Sequence, residues 1–435
     1  MRKIITSAGL IALSAAGAQA VALSDSGAGK FWDVSLTVRG FYDDNYNAAA
    51  NGTSAKRATY GIETEPTVGI HFTGEQTSFG AHYDMDMRYY ADADRTVNGN
   101  SEDDADYSHE FNMWLTHQFS ERYSMDAAET FTIAQDPTLL DPTSTFSSRL
   151  NGNNVHNDAN TDVHAQLTRL VELVLGYDNQ YYNYQDPLYA GLLNRMEQTV
   201  KAEMGWQVQP QTTLWLGYSF GWGCYDGEPL ISSEGPPSGT QYYHNPINGQ
   251  VLYNTVRNFY SHYVYVGLDH NFTTQLSVHI RAGGQITDYY NNPGGDMTTF
   301  DPYVDAGLRY IYMSGCSAEI GFQQIHNATD QFSVDTHGNV TTDTESSIIY
   351  GKIVHAITPK FIATLNGQYQ YASMDGGTFD NDSQNIYALG LDLAYHFTSY
   401  LSADVGYNYD RTDSSTALNY TYDRNRVFLG MTASY

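Results

Sequence analysis

Residues 79–89 set apolar and polar side chains on alternate positions. Phe79, Ala81, Tyr83, Met85, Met87 and Tyr89 alternate with Gly80, His82, Asp84, Asp86 and Arg88. A helix mixes two such sets around its circumference, whereas a strand puts them on opposite faces. The same period of two returns along the chain. Ile62, Val68, Ile70 and Phe72 oppose Glu63, Glu65 and His71; Leu214, Leu216, Tyr218 and Phe220 oppose Trp215, Gly217 and Ser219. Leu389, Leu391 and Leu393 oppose Gly390 and Asp392, and Val405 and Tyr407 oppose Asp404 and Asn408. The runs last roughly 10–16 residues, longer than a typical soluble strand and long enough for the 9–11 that cross hydrocarbon at a tilt.

Connections between the runs come in two sizes. Tight polar turns fall near 73–76, 120–122, 168–170, 209–211, 273–275, 314–316, 358–360 and 398–400. Longer stretches rich in Asn, Asp, Gly, Ser and Pro fall at 47–59, 93–106, 135–160, 185–194, 227–255, 291–299, 334–341, 376–383 and 414–418. These connections predict about 18 strands, an even number, with short periplasmic turns and long extracellular loops. The fold class is therefore all-β: a transmembrane antiparallel up-and-down β-barrel. A β-propeller repeats over a similar turn spacing, but its blades use four short strands per period rather than two long ones. The pattern is weakest over 135–195, where Leu170–Leu175 reads as a short helix or as a strand carrying Glu172. The 135–160 and 227–255 loops, with Asp136-Pro137, Asp141-Pro142 and Gly235-Pro236-Pro237, read as exposed loops or as inward-folded constrictions.

The N-terminus is of a different kind. Arg2 and Lys3 precede a mostly apolar, uncharged run from Ile4 to Gly17, and Ala18-Gln19-Ala20 offers small residues at a cleavage site. This predicts a signal peptide over 1–20 and a barrel over 21–435. A membrane anchor would need about 20 apolar residues, and no later stretch reaches ~18.

Composition sharpens the picture. The 38 Gly and 37 Tyr stand against 12 Pro and 2 Cys, and the net charge is −28. Such acidity repels phosphate backbones and excludes nucleic acid as a partner. Cys224 and Cys316 are expected at opposite strand ends, beyond disulfide reach.

If apolar residues face lipid, the other face lines a lumen. Its expected charges are Glu63, Glu65, Asp84, Asp86, Arg88, Glu203, Arg281, Asp305, Arg309, Asp392, Asp404, Arg424 and Arg426, with Asp126, Glu172, Asp178, Glu319 and Lys201 beside them. Such groups attract cations into a pore or pair across strands and hold the wall. Trp114 and Trp215 fall on the same face and are candidates for a sugar-stacking track. Tyr89/Tyr90, Tyr181/Tyr182/Tyr184, Tyr289/Tyr290, Tyr369/Tyr371 and Tyr407/Tyr409 lie near loop ends and fit an outer girdle. Glu129 and His117 break the rule by falling on the apolar face.

Metal-binding motifs are missing: there is no His-Glu-x-x-His and no Cys-x-x-Cys. The Gly-x-Ser-x-Gly at Gly217–Gly221 falls inside an alternating run rather than at a strand-to-helix turn. The acidic run Ser101–Asp106 lacks the ordered spacing of a calcium loop and reads as solvated. No catalytic residue, cofactor or metal site is assigned.

Tyr435 ends the chain, preceded at steps of two by Ala433, Met431, Leu429 and Val427. This resembles the terminal strand by which bacterial outer-membrane barrels are recognised for assembly. The whole chain resembles an outer-membrane β-barrel protein. Its opening strand, Trp32-Asp33-Val34-Ser35-Leu36-Thr37-Val38-Arg39-Gly40-Phe41-Tyr42-Asp43-Asp44-Asn45, resembles the beta-barrel porin 2 type. The resemblance implies a pore without catalytic residues. The expected function is passage of small polar solutes with a mild cation preference. A plugged barrel with a structural, adhesive or export-partner role is the alternative, and an outer-membrane barrel enzyme a lesser one. Expected partners are the lipid bilayer, the barrel-assembly machinery through the last strand, and small polar solutes; a homo-oligomer is left open.

Overall fold

The computed structural model describes residues 30–53, 56–91, 96–97, 100–101, 105–134, 154–185, 187–232, 241–295, 297–327, 329, 331–414 and 421–435. The signal-peptide stretch, Pro137, Pro142, Gly235–Pro237 and Glu102–Asp104 lie outside the described residues.

Eighteen long strands follow one another: β1 (Trp32–Asp43), β2 (Thr59–Thr73), β3 (Thr77–Tyr90), β4 (Ala105–Gln118), β5 (Tyr123–Ala134), β6 (Asn154–Gln166), β7 (Val171–Tyr184), β8 (Arg195–Gln209) and β9 (Thr212–Tyr225). They continue as β10 (Phe259–Asn271), β11 (Leu276–Tyr289), β12 (Met297–Met313), β13 (Cys316–Asn327), β14 (Thr341–Thr358), β15 (Phe361–Gly376), β16 (Ser383–His396), β17 (Leu401–Ser414) and β18 (Tyr422–Ser434). Each pairs antiparallel with its sequence neighbours. β1 also pairs with β18, from Ser35–Ser434 to Asp43–Arg426, which closes the sheet. Val34 and Tyr435 exchange two backbone hydrogen bonds, 3.2 and 2.9 Å, at the seam. Closure leaves no edge strand in the barrel sheet, the condition for crossing lipid with strands.

Strand number and all eight tight turns agree with the alternation read from the sequence. Two details differ. Leu170–Leu175 is no helix: Val171 opens β7, and the short helix α1 is Pro187–Leu193, in the following loop. Cys316 opens β13 rather than sitting in the turn, and both cysteines are free. No helix among the described residues is long and apolar enough to cross a membrane.

The outer face is apolar and exposed along most strands, as at Leu36, Val38, Ile62, Val68, Leu216, Val264, Val266, Leu389 and Leu429. Aromatics rim it at both ends. Phe72, Phe119, Tyr123, Trp206, Phe272, Phe397, Tyr400 and Tyr435 lie at the turns, and Tyr42, Tyr60, Tyr89, Tyr107, Tyr181 and Tyr371 nearer the loops. Ten residues separate Trp32 from Tyr42. At ~3.3 Å per residue and a tilt of about 40°, that is roughly 25 Å of height, the thickness of an apolar band. The girdle differs from expectation in one respect: Tyr90, Tyr182 and Tyr289 turn inward and are buried. Adjacent tyrosines on a strand cannot share a face.

The inner face accounts for part of the wealth of glycine. Gly61, Gly80, Gly205, Gly217, Gly223, Gly321 and Gly406 stand directly opposite Phe41, Trp114, Trp215, Tyr265, Phe259, Tyr350 and Phe428 on neighbouring strands. A Cβ at Gly217 would come within 2.2 Å of the Tyr265 ring. The missing side chain lets the ring lie flat on the wall.

Three loops join above β8–β14. Leu192 of α1, Leu230 and Leu252 of the β9–β10 loop, and Phe332 and Val340 of the β13–β14 loop form one apolar cluster. Arg257 lies fully buried below it. It donates to the carbonyls of Leu192 (2.9 Å), Thr329 (2.6 Å) and Thr342 (3.0 Å). The described parts of the 227–255 segment are thus packed on neighbouring loops instead of standing free.

Candidate functional site: the charged inner wall

The inner wall carries two separate charge systems. The first spans β17, β18, β1, β2 and β3. Arg39 contacts Glu65 at 2.6 Å and, across β18, Asp404 at 3.0 Å; Glu63 lies 3.9 Å away. Glu63 also holds Arg88 at 2.7 Å and Arg426 at 3.0 Å, and Arg88 reaches Asp86 at 2.6 Å. Arg424 pairs with Asp410 at 2.9 Å and lies 4.0 Å from Asp43. Phe41 lies under Arg426 and Phe428 under Arg39, with guanidinium-to-ring distances of 4.4 and 5.3 Å. Carboxylates and guanidiniums therefore alternate on adjacent strands and neutralise one another.

The second system lies on β8–β12. Arg281 crosses two strands to approach Glu203 at 3.6 Å, passing over Gly267, where a Cβ would sit 2.5 Å from its Cδ. It also binds Asp269 at 2.8 Å, and Asp269 accepts from the Trp215 indole at 2.6 Å. Such a reach over intervening strands marks the concave face. Beside it, on β5–β8, Lys201 binds Asp162 at 2.9 Å, and His164 sits between Asp126 (3.3 Å) and Glu172 (3.0 Å).

Burial changes along the lumen. Near the loops Arg39, Asp43, Glu63 and Arg195 are enclosed by neighbouring side chains. Near the turns the side chains of Asp33 and His71 are 55% and 42% exposed, and that of His279 is 46% exposed. The turn half is open to water and the loop half is lined by packed charge. In the β13–β14 loop, outside the wall, slight burial raises Asp335, but hydrogen bonds from Asn339 and His337 outweigh it and hold the carboxyl below its usual range.

The residues singled out from sequence fall as follows. Glu63, Glu65, Asp86, Arg88, Asp404, Arg424 and Arg426 share the first system. Glu203 and Arg281 share the second. Asp84 lies 3.0 Å from His82 and opposite Glu110; Asp305 stands opposite Arg281, and Arg309 opposite Glu319. Asp392 has one buried oxygen without a hydrogen bond. Trp114 lies over Gly80 on the inner face, partly exposed. Val427, Leu429, Met431, Ala433 and Tyr435 lie on the outer face of β18, and Ala433 pairs with Leu36. Glu129 and His117 do face outward. Glu129 accepts from Asn157 at 2.9 Å, and His117 bonds Thr77 at 2.8 Å.

Sequence reasoning missed Arg39 and Asp43, although alternation from Leu36 and Val38 places both inside. It also missed His326 and Asp343, for which alternation gives the wrong face. The β12–β13 ladder stops at Val304–Gln324, and the β14–β15 register shifts between Thr341 and Asp343. Beyond those points the strands turn, and both residues line an internal cavity of about 50 Å³ with Tyr263, Gln285 and Tyr289.

A closed ring of paired strands, a greasy exterior and a charged interior settle the class. The molecule is an outer-membrane-type β-barrel. No family model and no curated protein matches the sequence, so the beta-barrel porin 2 resemblance rests on the opening strand alone. Among solved structures the barrel is similar to a BenF-like porin from Pseudomonas fluorescens Pf-5, at 12% identity and TM-score 0.45, covering 93% of this chain and 99% of that one. It is similar to OccK2 from Pseudomonas aeruginosa, solved with glucuronate, at 12% identity and TM-score 0.43, covering 93% and 98%. It is also similar to the FrpB iron transporter from Neisseria meningitidis, at 11% identity and TM-score 0.42, covering 94% and 82%.

Proposed function

We propose that the chain is exported by its N-terminal signal peptide, inserted in a bacterial outer membrane and used there as a pore for small polar solutes. The observation that carries this reading is the lumen itself. A barrel of this strand number is wide enough to hold an aqueous channel, and here its turn half exposes ionisable side chains to water. The loop half is lined with paired charges, so a hydrated solute meets carboxylates and guanidiniums on one wall. Such a wall selects by charge pattern as well as by size. The overall excess of acids, 49 against 21 bases, favours cations. Lipid, rather than a second protein layer, covers the outer face, and the terminal strand with Tyr435 supplies the assembly signal.

Purified protein in a planar bilayer tests the reading. Discrete conductance steps are expected, and in a KCl gradient the reversal potential is expected to shift toward that of K⁺. Folded barrel without conductance would reject the pore, and a shift toward Cl⁻ would reject the cation preference.

A further inference from the structure

His326 stands apart from every other charged group of the lumen. Its side chain is only 4% exposed. Nδ1 lies 2.7 Å from Asp343, which also accepts from the Tyr289 hydroxyl and, at 3.1 Å, from Thr342. Nε2 points the other way, 3.0 Å from Asp301 Oδ2. The contact is an ion-pair approach that misses hydrogen-bond geometry, and each atom is buried without a hydrogen-bond partner. Asp375 completes the group: one ligand atom each from Asp301, His326 and Asp375 lies within 4.8 Å of the others.

Charge makes the arrangement hard to explain as it stands. Three carboxylates surround one imidazole, and Asp343 faces Asp375 directly across the β14–β15 ladder. Like charges directly opposite destabilise a sheet, and buried carboxylates need a counter-charge. Among the described residues no Lys or Arg forms an ion pair with Asp301, Asp343 or Asp375. The contrast is the Glu63, Glu65 and Asp86 group, which is equally close-set but already meets Arg39, Arg88 and Arg426.

We propose that Asp301, His326 and Asp375 bind a divalent first-row cation, Zn²⁺ foremost. Two donor atoms near 3 Å apart without a hydrogen bond are what neighbouring ligands of one ion look like, since Zn–N and Zn–O distances are about 2.0–2.2 Å. Imidazole with carboxylates suits Zn²⁺. Asp343 plays the part of the outer carboxylate that orients a ligating His through its other nitrogen, and Tyr289 holds Asp343 in turn. The ion would tie β12, β13 and β15 together beneath the loops that Arg257 gathers. It would act where strand pairing between β12 and β13 has already ended.

The test uses tag-free, full-length mature protein in detergent, stripped with EDTA and desalted. Calorimetry with Zn²⁺ is expected to give one saturable site per chain. Co²⁺ is expected to give visible absorption bands that Zn²⁺ abolishes, a readout that needs no variant. Asp301→Asn and Asp375→Asn are expected to remove the site while heat-modifiable gel mobility and strand circular dichroism persist. Tyr289→Phe and Asp343→Asn are expected to keep the stoichiometry and weaken affinity by about 10–100-fold, as loss of an outer-shell partner does. Wild-type protein without saturable Zn²⁺ binding overturns the proposal. So does binding that Asp301→Asn leaves unchanged.

Discussion

Glu63 accepts from Arg88 and Arg426 and lies close to Arg39, and its own side chain is only 5% exposed. Removing one member of a buried ion network leaves its partners charged and unsolvated, which costs about 3–5 kcal/mol. Glu63→Gln is therefore expected to lower stability by that order in urea unfolding from detergent or lipid. Lys56 and Asp423, 3.4 Å apart and each about one-third exposed, form the comparison. Lys56→Ala is expected to cost about 1 kcal/mol or less. Equal losses would show that the wall charges are solvated after all. Gly217 makes a steric case. Gly217→Val drives a branched side chain into the Tyr265 ring, and overpacking of this kind costs about 1–3 kcal/mol. The double variant with Tyr265→Ala is expected to recover most of the loss, because the ring is the only aromatic a Cβ there would meet at 2.2 Å.

At the scale of elements, Arg257 is the tie between three loops. Each lost donor leaves a buried carbonyl unsatisfied, at roughly 1–3 kcal/mol. Arg257→Ala is expected to open the 226–258 loop to limited proteolysis while the strands stay paired. Retained heat-modifiable mobility with new loop cleavage would confirm that the loops fold on the barrel and not the reverse. Uncleaved loops would mean that the Leu192–Leu230–Leu252–Phe332–Val340 cluster holds them alone. The last strand carries another expectation. Removing Tyr435 takes away an exposed aromatic and both of the backbone hydrogen bonds exchanged with Val34. Truncation after Ser434 is expected to lower the amount of barrel recovered in outer-membrane fractions several-fold, without changing the signal-peptide cleavage step. Undiminished recovery would deny the strand its assembly role.

For the whole molecule, closure decides what can touch what. The exterior exposes Leu36, Ile62, Val68, Leu216, Val264, Val266 and Leu429 in a continuous band. Such a surface far exceeds the apolar patches of soluble monomers. The protein is expected to stay monodisperse only in detergent or lipid; a compact monomer in plain buffer would refute membrane insertion. The strand order, the turns and the two faces of most strands were legible because side chains alternate with period two and lipid demands an outer face that is apolar along most of its length. A one-residue slip would have moved Glu63 or Asp404 into hydrocarbon, so the pattern carries the register.

Local alternation, with Gly, Asn, Asp and Pro at the breaks, was enough to specify the barrel, its strand number, its turn side and most of its inner and outer sets. Which charges meet follows from the closed fold alone. Arg39 finds Asp404 because closure brings β1 beside β18, 365 residues along the chain. His326 and Asp343 turn inward because the ladders beside them end or shift, which no periodicity announces. Glycine's abundance was visible from the start, but its reason was not. Along the wall it lies in the ring or charged stem that a glycine faces on a neighbouring strand, as Gly217 faces Tyr265 and Gly267 faces Arg281, a pairing that exists only once the register is set.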